Sequence, residues 1–281
     1  RSVDVPRNDY AWAPEVILLA LSPQVTTISV GSPNAQVAVG GSSSDADGAR
    51  ESLLLFPPNT TATMVLSNGQ QIALTSLAVR STEYTVGANG PRSMPGELPA
   101  SSGYTYAVEH SVDAALAVGA TSVEFSQPVM NYVDNFIGFP VGTDVPVGYY
   151  DRSKGAWIGA DDGKVIKIVA ITNSQAAIDY TGDGVADAPA GLGLSAAELS
   201  MLATRYSVGA ELWRVGLTHF TPWDYNWPVG PPLGAGNPPP PGTDNPGKDG
   251  GGPPEGGPAP GEPFPPDQKP GKPLPNKGPE S

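Results

Sequence analysis

Residues 51–74 read ESLLLFPPNTTATMVLSNGQQIAL and carry the clearest fold signal in the chain. Three short runs rich in apolar and β-branched residues alternate here with turn signals. Pro57-Pro58 ends the first run, and Asn68-Gly69 is a dipeptide typical of a two-residue hairpin between the second and the third. The runs cover residues 51–56, 61–66 and 70–74. The stretch therefore predicts short antiparallel strands.

The same alternation of strand-like runs and turn residues continues on both sides of this stretch. The further runs cover residues 15–21, 24–30, 77–86, 104–108, 123–133, 146–151, 156–158, 164–171 and 211–220. Two stretches have helical character instead, residues 113–118 and 195–206. In the second, Ser195 is the expected N-cap and Glu198 follows three residues later, which is the spacing of a capping box.

The composition agrees with an all-β chain and excludes several classes of function. The 281 residues include 35 Gly and 33 Pro but only 15% charged residues, a profile that suits β-sandwiches with many turns. The absence of cysteine excludes disulfides, thiol catalysis and Cys-ligated metal centres, and two histidines are too few for a multi-histidine centre. A net charge of −13 argues against nucleic acid as a partner. The longest apolar run, residues 16–21, is too short to span a membrane.

We therefore predict an all-β fold of tandem antiparallel β-sandwich-like modules, with one or two short helices and a disordered Pro/Gly-rich C-terminal tail. The tail contains 19 Pro and 13 Gly and few large apolar residues, so its burial cannot offset the entropy of ordering it. We expect the tail to act as a spacer, and a plain disordered terminus is the alternative. The predicted regions are N-terminal strands and linker (1–44), a first β-sandwich (45–133), a second β module with an Asp-rich loop and a short helix (134–227), and the tail (228–281).

An Asp- and Gly-rich loop at residues 179–187 has the spacing of the front of a calcium-binding loop. Alternating oxygen-bearing residues would point inward, and Gly184 permits the sharp turn. The expected ligands are Asp179, Thr181, Asp183, Val185 through its carbonyl group, Asp187 and Glu198. The last of these also has the competing role in the capping box. The spacing predicts a structural Ca²⁺ site, and an acidic turn without a metal is the alternative.

The tripeptide His219-Phe220-Thr221 ends a predicted strand and indicates a second kind of chemistry. A hydroxyl after a His-aromatic pair can attack the preceding carbonyl, which produces an ester that water then cleaves. In this hypothesis His219 is the base and Thr221 the nucleophile. The alternative is a strand end in which both side chains are structural. We expect the other histidine, His110, at the surface or rim of its strand.

Several motifs resemble, in the same order, the region that precedes the YD-repeat shell of large bacterial RHS-repeat proteins. The resemblance runs from about Asp45 to Pro232. The motifs are LLLFPPNTTATM at 53–64, VRSTEYTVG at 79–87, FPVG at 139–142, VGYYDR at 147–152 and HFTPWD at 219–224. The first motif, together with FSQPV at 125–129, is also similar to the β-sandwich of ankyrins and netrin receptors.

These resemblances imply a secreted or cell-surface protein whose repeat shell encloses a C-terminal toxin or effector. They give this chain the place of an accessory module and its tether. The implied partners are the downstream RHS repeat shell of the same polypeptide and either secretion machinery or a target-cell surface. Some relatives of the sandwich, and the GAIN domains of adhesion receptors, cleave themselves at a comparable step, which implies the same roles for His219 and Thr221.

The sequence thus predicts a non-enzymatic structural and interaction module of an RHS-type protein. One alternative is an autoproteolytic domain that cleaves between Phe220 and Thr221. Another is a cell-surface or carbohydrate-binding module in which tryptophans act as stacking platforms. The candidate platforms are Trp12, Trp157, Trp213, Trp223 and Trp227.

Overall fold

A computed structural model of the protein describes residues 7–8, 10–12, 15–86, 90–98 and 102–227. The described part is an all-β fold of antiparallel strands, as the sequence predicts. The strands are β1 (Thr26–Ser29), β2 (Gln36–Val39), β3 (Ser43–Asp45), β4 (Gly48–Arg50), β5 (Ser52–Phe56), β6 (Ala62–Val65), β7 (Gln71–Leu74), β8 (Ser76–Glu83), β9 (Ala107–Val112), β10 (Ser122–Asp134), β11 (Asp144–Val145), β12 (Gly148–Asp151), β13 (Ala156–Gly159), β14 (Gly163–Thr172), β15 (Gln175–Asp179), β16 (Glu211–Phe220) and β17 (Pro222–Asp224). The helices are the single turn α1 (Gly90–Ser93), α2 (Asp113–Ala117) and α3 (Ala196–Arg205), with a 3₁₀ turn at Pro189–Leu192.

The strands form two large sheets and a small ribbon. The six-stranded sheet has the order β1-β8-β9-β17-β12-β13. The nine-stranded sheet has the central order β11-β14-β16-β10-β5-β2, with β15 paired to β14, β6 paired to β10, and β7 paired to β6. The ribbon consists of β3 and β4. Side chains of both large sheets pack into one apolar core between them, so the fold is a β-sandwich.

The nine-stranded sheet is covered on both faces, which explains the unbroken apolar run in β5. Leu54 and Phe56 point into the core between the sheets. Leu53 and Leu55 point to the other face and join a second apolar cluster with α3. Because successive side chains of a strand point to opposite faces, only a strand buried on both sides needs apolar residues at every position.

Helix α3 begins with the predicted capping box. The Ser195 hydroxyl accepts a hydrogen bond from the Glu198 backbone N–H, and the Glu198 carboxylate accepts one from the Ser195 N–H. Leu199 and Leu202 then lie on the face that covers the nine-stranded sheet. The cap and the apolar stripe together determine where the helix begins and which face it buries.

The two predicted β modules share their sheets. The expected boundary after Val133 falls inside β10, which pairs with β5 and β6 on the N-terminal side of that boundary and with β16 on the other. The six-stranded sheet mixes strands from both regions in the same way. The structure therefore replaces the division into 45–133 and 134–227 by one sandwich, because long-range pairing joins strands that are distant in sequence.

One predicted strand is missing from the fold. Residues 15–21 form neither a strand nor a helix, although their sequence has strand character. Every other strand-like run overlaps a strand of the structure. The prediction for the tail, residues 228–281, lies outside the described residues.

Candidate functional site

The predicted cleavage step lies at the corner where the chain passes from one sheet to the other. Strand β16 ends at Phe220, which pairs with Val123 in the nine-stranded sheet. Strand β17 begins at Pro222, which pairs with Glu109 in the six-stranded sheet. Thr221 is thus the single residue between the two sheets. Of the positions that the sequence-predicted site residues occupy, this corner is the most distinctive.

His219 is half-buried against aromatic side chains at this corner. Its ring lies edge-on to Tyr149 at 4.7 Å and tilted against Trp223 at 4.9 Å. Its carbonyl oxygen accepts a hydrogen bond from the Trp223 indole N–H (3.1 Å). Burial lowers the pKa of His219, and the charge of Asp151 opposes this effect. His219 is therefore predominantly neutral at pH 7, as a proton acceptor must be.

The side chains of His219 and Thr221 bond to other groups. The His219 Nδ1 atom lies 3.1 Å from the Thr218 hydroxyl oxygen. The buried Thr221 hydroxyl donates to the Pro222 carbonyl at 3.4 Å. The structure thus brings the two predicted residues to the same corner, but it does not join them in the hydrogen bond that a base and its nucleophile require.

His110 is the residue at this corner that the sequence analysis misplaced. It is 1% exposed, in the core and not at a rim. Its Nδ1 atom lies 2.9 Å from the Ser81 hydroxyl, and its ring contacts Phe220 at 5.4 Å between centroids. Its Nε2 atom is buried and has no partner among the described residues. Burial lowers the pKa of His110 to about 3, so its imidazole is neutral.

The Asp-rich loop is organised by its own backbone. The buried Asp179 carboxylate accepts hydrogen bonds from three loop N–H groups. Asp187 accepts from the N–H groups of Tyr180 and Thr181 and from the Thr181 hydroxyl. The three donors to Asp179 are the N–H groups of Thr181, Gly182 and Gly184, at 3.1, 2.6 and 2.8 Å. These contacts give the two carboxylates a role that needs no metal.

The remaining predicted ligands do not complete a cage around the loop. Asp183 is exposed and accepts a hydrogen bond from the Val185 N–H (2.8 Å). Glu198 is nearly buried and faces Arg214, with which it forms an ion pair at 2.6 Å. In the described ranges, no three His, Asp or Glu side chains are close enough together to hold a metal ion. The calcium site therefore stays a prediction.

The tryptophans divide into buried and exposed groups. Trp213 and Trp223 are 0% and 2% exposed, so no sugar ring can stack on them. The Trp157 indole N–H donates to the Gly96 carbonyl (3.2 Å), and its ring packs against a small apolar cluster of Tyr84, Met94 and Ala107. Trp227 stacks on Phe139. Trp12 is the exposed exception, and it lies edge-on to Tyr10 at 6.3 Å.

Comparison with protein-family models, with curated proteins and with solved structures finds no match to this chain. No helix within the described ranges has the length and apolar character that crossing a membrane requires.

Proposed function

We propose that this chain is a non-enzymatic structural and interaction module of a secreted or cell-surface RHS-repeat protein. Its Pro/Gly-rich tail would connect the sandwich to the downstream repeat shell of the same polypeptide. The resemblance of the motifs between Asp45 and Pro232 supports the assignment to RHS-repeat proteins. The Pro/Gly-rich composition of the tail supports its role as a tether.

The observation that carries the proposal is the way the chain is anchored just before the tail. The last strand, β17, lies between β9 and β12 near the centre of the six-stranded sheet, where both of its edges are paired. Beyond it, Trp227 stacks on Phe139 with ring centroids 3.8 Å apart. The Trp227 carbonyl also accepts a hydrogen bond from the Gly103 N–H (2.8 Å). A tail that begins here is attached to a firmly held strand, which is what a tether requires.

The interior supports a structural role as well. Several buried ionisable groups are engaged with neighbouring strands or with their own loop. The Arg50 guanidinium, for example, forms ion pairs with Asp45 (2.9 Å) and Glu83 (2.6 Å) while its side chain is 2% exposed. Such groups fix the positions of strands and loops.

The size of the parent polypeptide tests the proposal. An antibody raised against the sandwich would be used on the source cells and their medium, and the captured protein would be mapped by mass spectrometry. We expect a species much larger than 28.8 kDa, accessible outside the cell, whose peptides beyond Ser281 contain YD repeats. A parent whose downstream sequence has no such repeats would contradict the RHS assignment.

Self-cleavage between Phe220 and Thr221 is a second candidate, favoured by the position of this bond at the crossing between the sheets. The Thr221 oxygen would add to the Phe220 carbonyl carbon and transfer its proton to His219. The Thr221 nitrogen would take this proton from His219 and leave as an amine, and water would then hydrolyse the resulting ester to give a carboxylate at Phe220 and restore the Thr221 hydroxyl. The denatured intact mass of the unmutated 281-residue chain, compared with the masses of His219→Ala and Thr221→Ala, tests this step. Cleavage predicts fragments 1–220 and 221–281 in the unmutated chain alone, and an uncut unmutated chain overturns it.

A further inference from the structure

The His110 imidazole lies in the core with one ring nitrogen unused. Its Nδ1 atom lies 2.9 Å from the Ser81 hydroxyl oxygen. Its Nε2 atom is buried, and no group in the part of the chain that the structure describes forms a hydrogen bond with it. A buried polar atom without a partner costs stability, so a fold that keeps one needs an explanation. The roles assigned to His219 and Thr221 leave this atom unexplained.

Strand pairing places His110 beside Thr221, the predicted nucleophile. Ser81 of β8 pairs with His110 of β9. On the other side of β9, Pro222 of β17 pairs with Glu109. The same register, continued by one residue, places Thr221 opposite His110. Because residues directly opposite each other in antiparallel strands have Cβ atoms about 4.5–5.5 Å apart, the side chains of His110 and Thr221 are neighbours.

His110 and Thr221 also share the face that packs into the core. Val108 and Trp223 pair across β9 and β17, and both lie in the core between the sheets. His110 lies two residues after Val108, so alternation along the strand places it on that face. Thr221 lies two residues before Trp223 and faces the same way. The His110 ring contacts the Phe220 ring at 5.4 Å between centroids, so the imidazole lies beside both residues of the predicted cleavage step.

We propose that the His110 Nε2–H group donates a hydrogen bond to the oxyanion that forms when Thr221 attacks the Phe220 carbonyl. This inference rests on the self-cleavage candidate and deepens it by adding a third catalytic residue. The Ser81 hydroxyl donates to Nδ1, which keeps the ring proton on Nε2. Ser81 is thus a positioning residue.

The donor acts while the carbonyl oxygen is negatively charged. The Thr221 oxygen adds to the Phe220 carbonyl carbon, and the electron pair of the C=O bond moves onto the carbonyl oxygen while His219 takes the Thr221 proton. The negative oxygen accepts the hydrogen bond from His110. When the C=O bond forms again, the C–N bond breaks, and the Thr221 nitrogen leaves with the proton from His219. Hydrolysis of the ester produces an oxyanion at the same position, which the same donor stabilises.

Two properties of His110 suit a hydrogen-bond donor. Burial lowers its pKa to about 3, so the ring is neutral at pH 7 and carries one proton. A group with so low a pKa is a weak base at pH 7, whereas a neutral imidazole still donates a hydrogen bond. The Nε2 atom also has no partner among the described residues before the reaction. Its hydrogen bond is gained only as charge develops, and interactions of that kind accelerate a chemical step.

Cleavage kinetics of the full chain test the proposal. The unmutated chain and its variants are refolded from urea, and intact mass follows the fraction cut into residues 1–220 and 221–281. We expect His110→Leu, which removes the donor, to be cut about 100- to 1000-fold more slowly. His110→Gln should keep most of the rate, because its amide N–H replaces the Nε2–H group. A glutamine cannot act as a base, so this variant also separates a donor from a base.

His110→Asn is the matched control for His110→Gln. Both side chains are neutral amides, but the shorter asparagine places its amide near the Nδ1 position and should be cut as slowly as His110→Leu. This comparison does not depend on the leucine variant, and urea denaturation shows that each variant is folded.

Ser81→Ala tests the positioning role. In the unmutated chain it should slow cleavage by about tenfold, which corresponds to the loss of one hydrogen bond. In the His110→Gln background it should change nothing, because an amide has no tautomer to fix. A merely structural effect of Ser81→Ala would slow both chains equally.

The outcomes that overturn the proposal are distinct. If His110→Leu is cut as fast as the unmutated chain, or if His110→Gln and His110→Asn are cut at equal rates, the donor role is wrong and self-cleavage stands. If the unmutated chain stays uncut, self-cleavage is wrong and the donor role with it. None of these results bears on the size of the parent polypeptide, which tests the RHS module separately.

Discussion

Arg214 and Glu198 form an ion pair inside the protein, with Nε and Oε1 2.6 Å apart and both side chains nearly buried. Arg214 lies in β16 and Glu198 in the first turn of α3, so the pair joins the helix to the nine-stranded sheet. The Tyr132 hydroxyl of β10 donates to the same carboxylate. Because the carboxylate also caps α3 through Ser195, several donors depend on one side chain.

Glu198→Ala should lower the free energy of unfolding by about 3–5 kcal/mol, because it leaves a buried guanidinium without its counter-charge. The loss of the capping interaction contributes about 1 kcal/mol of the same sign. Urea denaturation monitored by tryptophan fluorescence measures this difference. Glu198→Gln keeps hydrogen-bond acceptors at the site, so we expect a smaller loss.

Asp144→Ala is the matched control for an ion pair at the surface. Asp144 lies 2.6 Å from Lys164, but its side chain is 65% exposed. Its removal should cost no more than about 1 kcal/mol, because solvent screens the pair. If the Glu198 and Asp144 variants lost equal stability, the internal ion pair would not be fastening α3.

The sequence predicted the elements whose signals are local. The Ser195 capping box places the start of α3 correctly, since both partners lie within one helical turn. Asn68-Gly69 likewise predicts the hairpin of β6 and β7, which pair directly. The run 51–56 predicts β5 because its apolar residues are consecutive. These elements need no knowledge of distant strands.

The features that the sequence analysis missed depend on long-range pairing. β17 has only three residues and begins with proline, and it is a strand because β9 and β12 flank it. The division at residue 133 failed for the same reason, since β10 bridges both halves. His110 alternates with Val108 and Val112, and all three face the core. That period of two was the available signal for the burial of the histidine.

His110 predicts an acid-dependent loss of stability. Its folded-state pKa of about 3 lies below the unfolded value of about 6.5, so the folded protein binds fewer protons at this site. Its contribution is therefore complete above pH ~6.5 and is lost progressively as the pH falls from there towards 3. Urea denaturation of the parent and of His110→Leu across this range measures the effect.

The difference between the two pH profiles carries the test, because carboxyl groups titrate in both proteins. We expect the stability of the parent to fall more steeply than that of His110→Leu between pH 6.5 and 3. His219→Leu is the control at the half-buried histidine and should change the slope less. Parallel profiles for the parent and His110→Leu would contradict the assignment of a buried neutral imidazole.

Asp179 predicts a stability effect that does not require calcium. Its buried carboxylate accepts three backbone hydrogen bonds, and Asp179→Ala would leave those donors unpaired. We expect a loss of about 2–4 kcal/mol in the presence of EDTA, since hydrogen bonds to charged groups contribute more than neutral ones. Asp179→Asn keeps one acceptor oxygen and should lose less. An Asp179→Ala variant as stable as the parent would show that the loop does not depend on this residue.

Calcium binding by the same loop can be tested separately. Bound calcium stabilises the folded state by mass action, so millimolar calcium should raise the Tm of the parent and release or absorb heat in a calorimetric titration. Asp183→Ala should lose both effects, since Asp183 is the exposed carboxylate of the loop. A parent that shows neither effect would end the calcium prediction.

Trp227 predicts how firmly the tail is attached. Trp227→Ala removes the stacked contact with Phe139 and the packing on Trp213, and it should cost about 2–3 kcal/mol. Because Trp227 lies three residues beyond the end of β17, the amides of β17 should exchange faster in this variant, while those of β10 change little. Trp227→Phe keeps an aromatic ring and should restore most of the stability.

Trp12→Ala, at a residue that is 87% exposed, should cost no more than about 0.5 kcal/mol. If Trp227→Ala and Trp12→Ala lost equally little stability, Trp227 would not anchor the tail. The tail would then be held only by the short backbone pairing of β17.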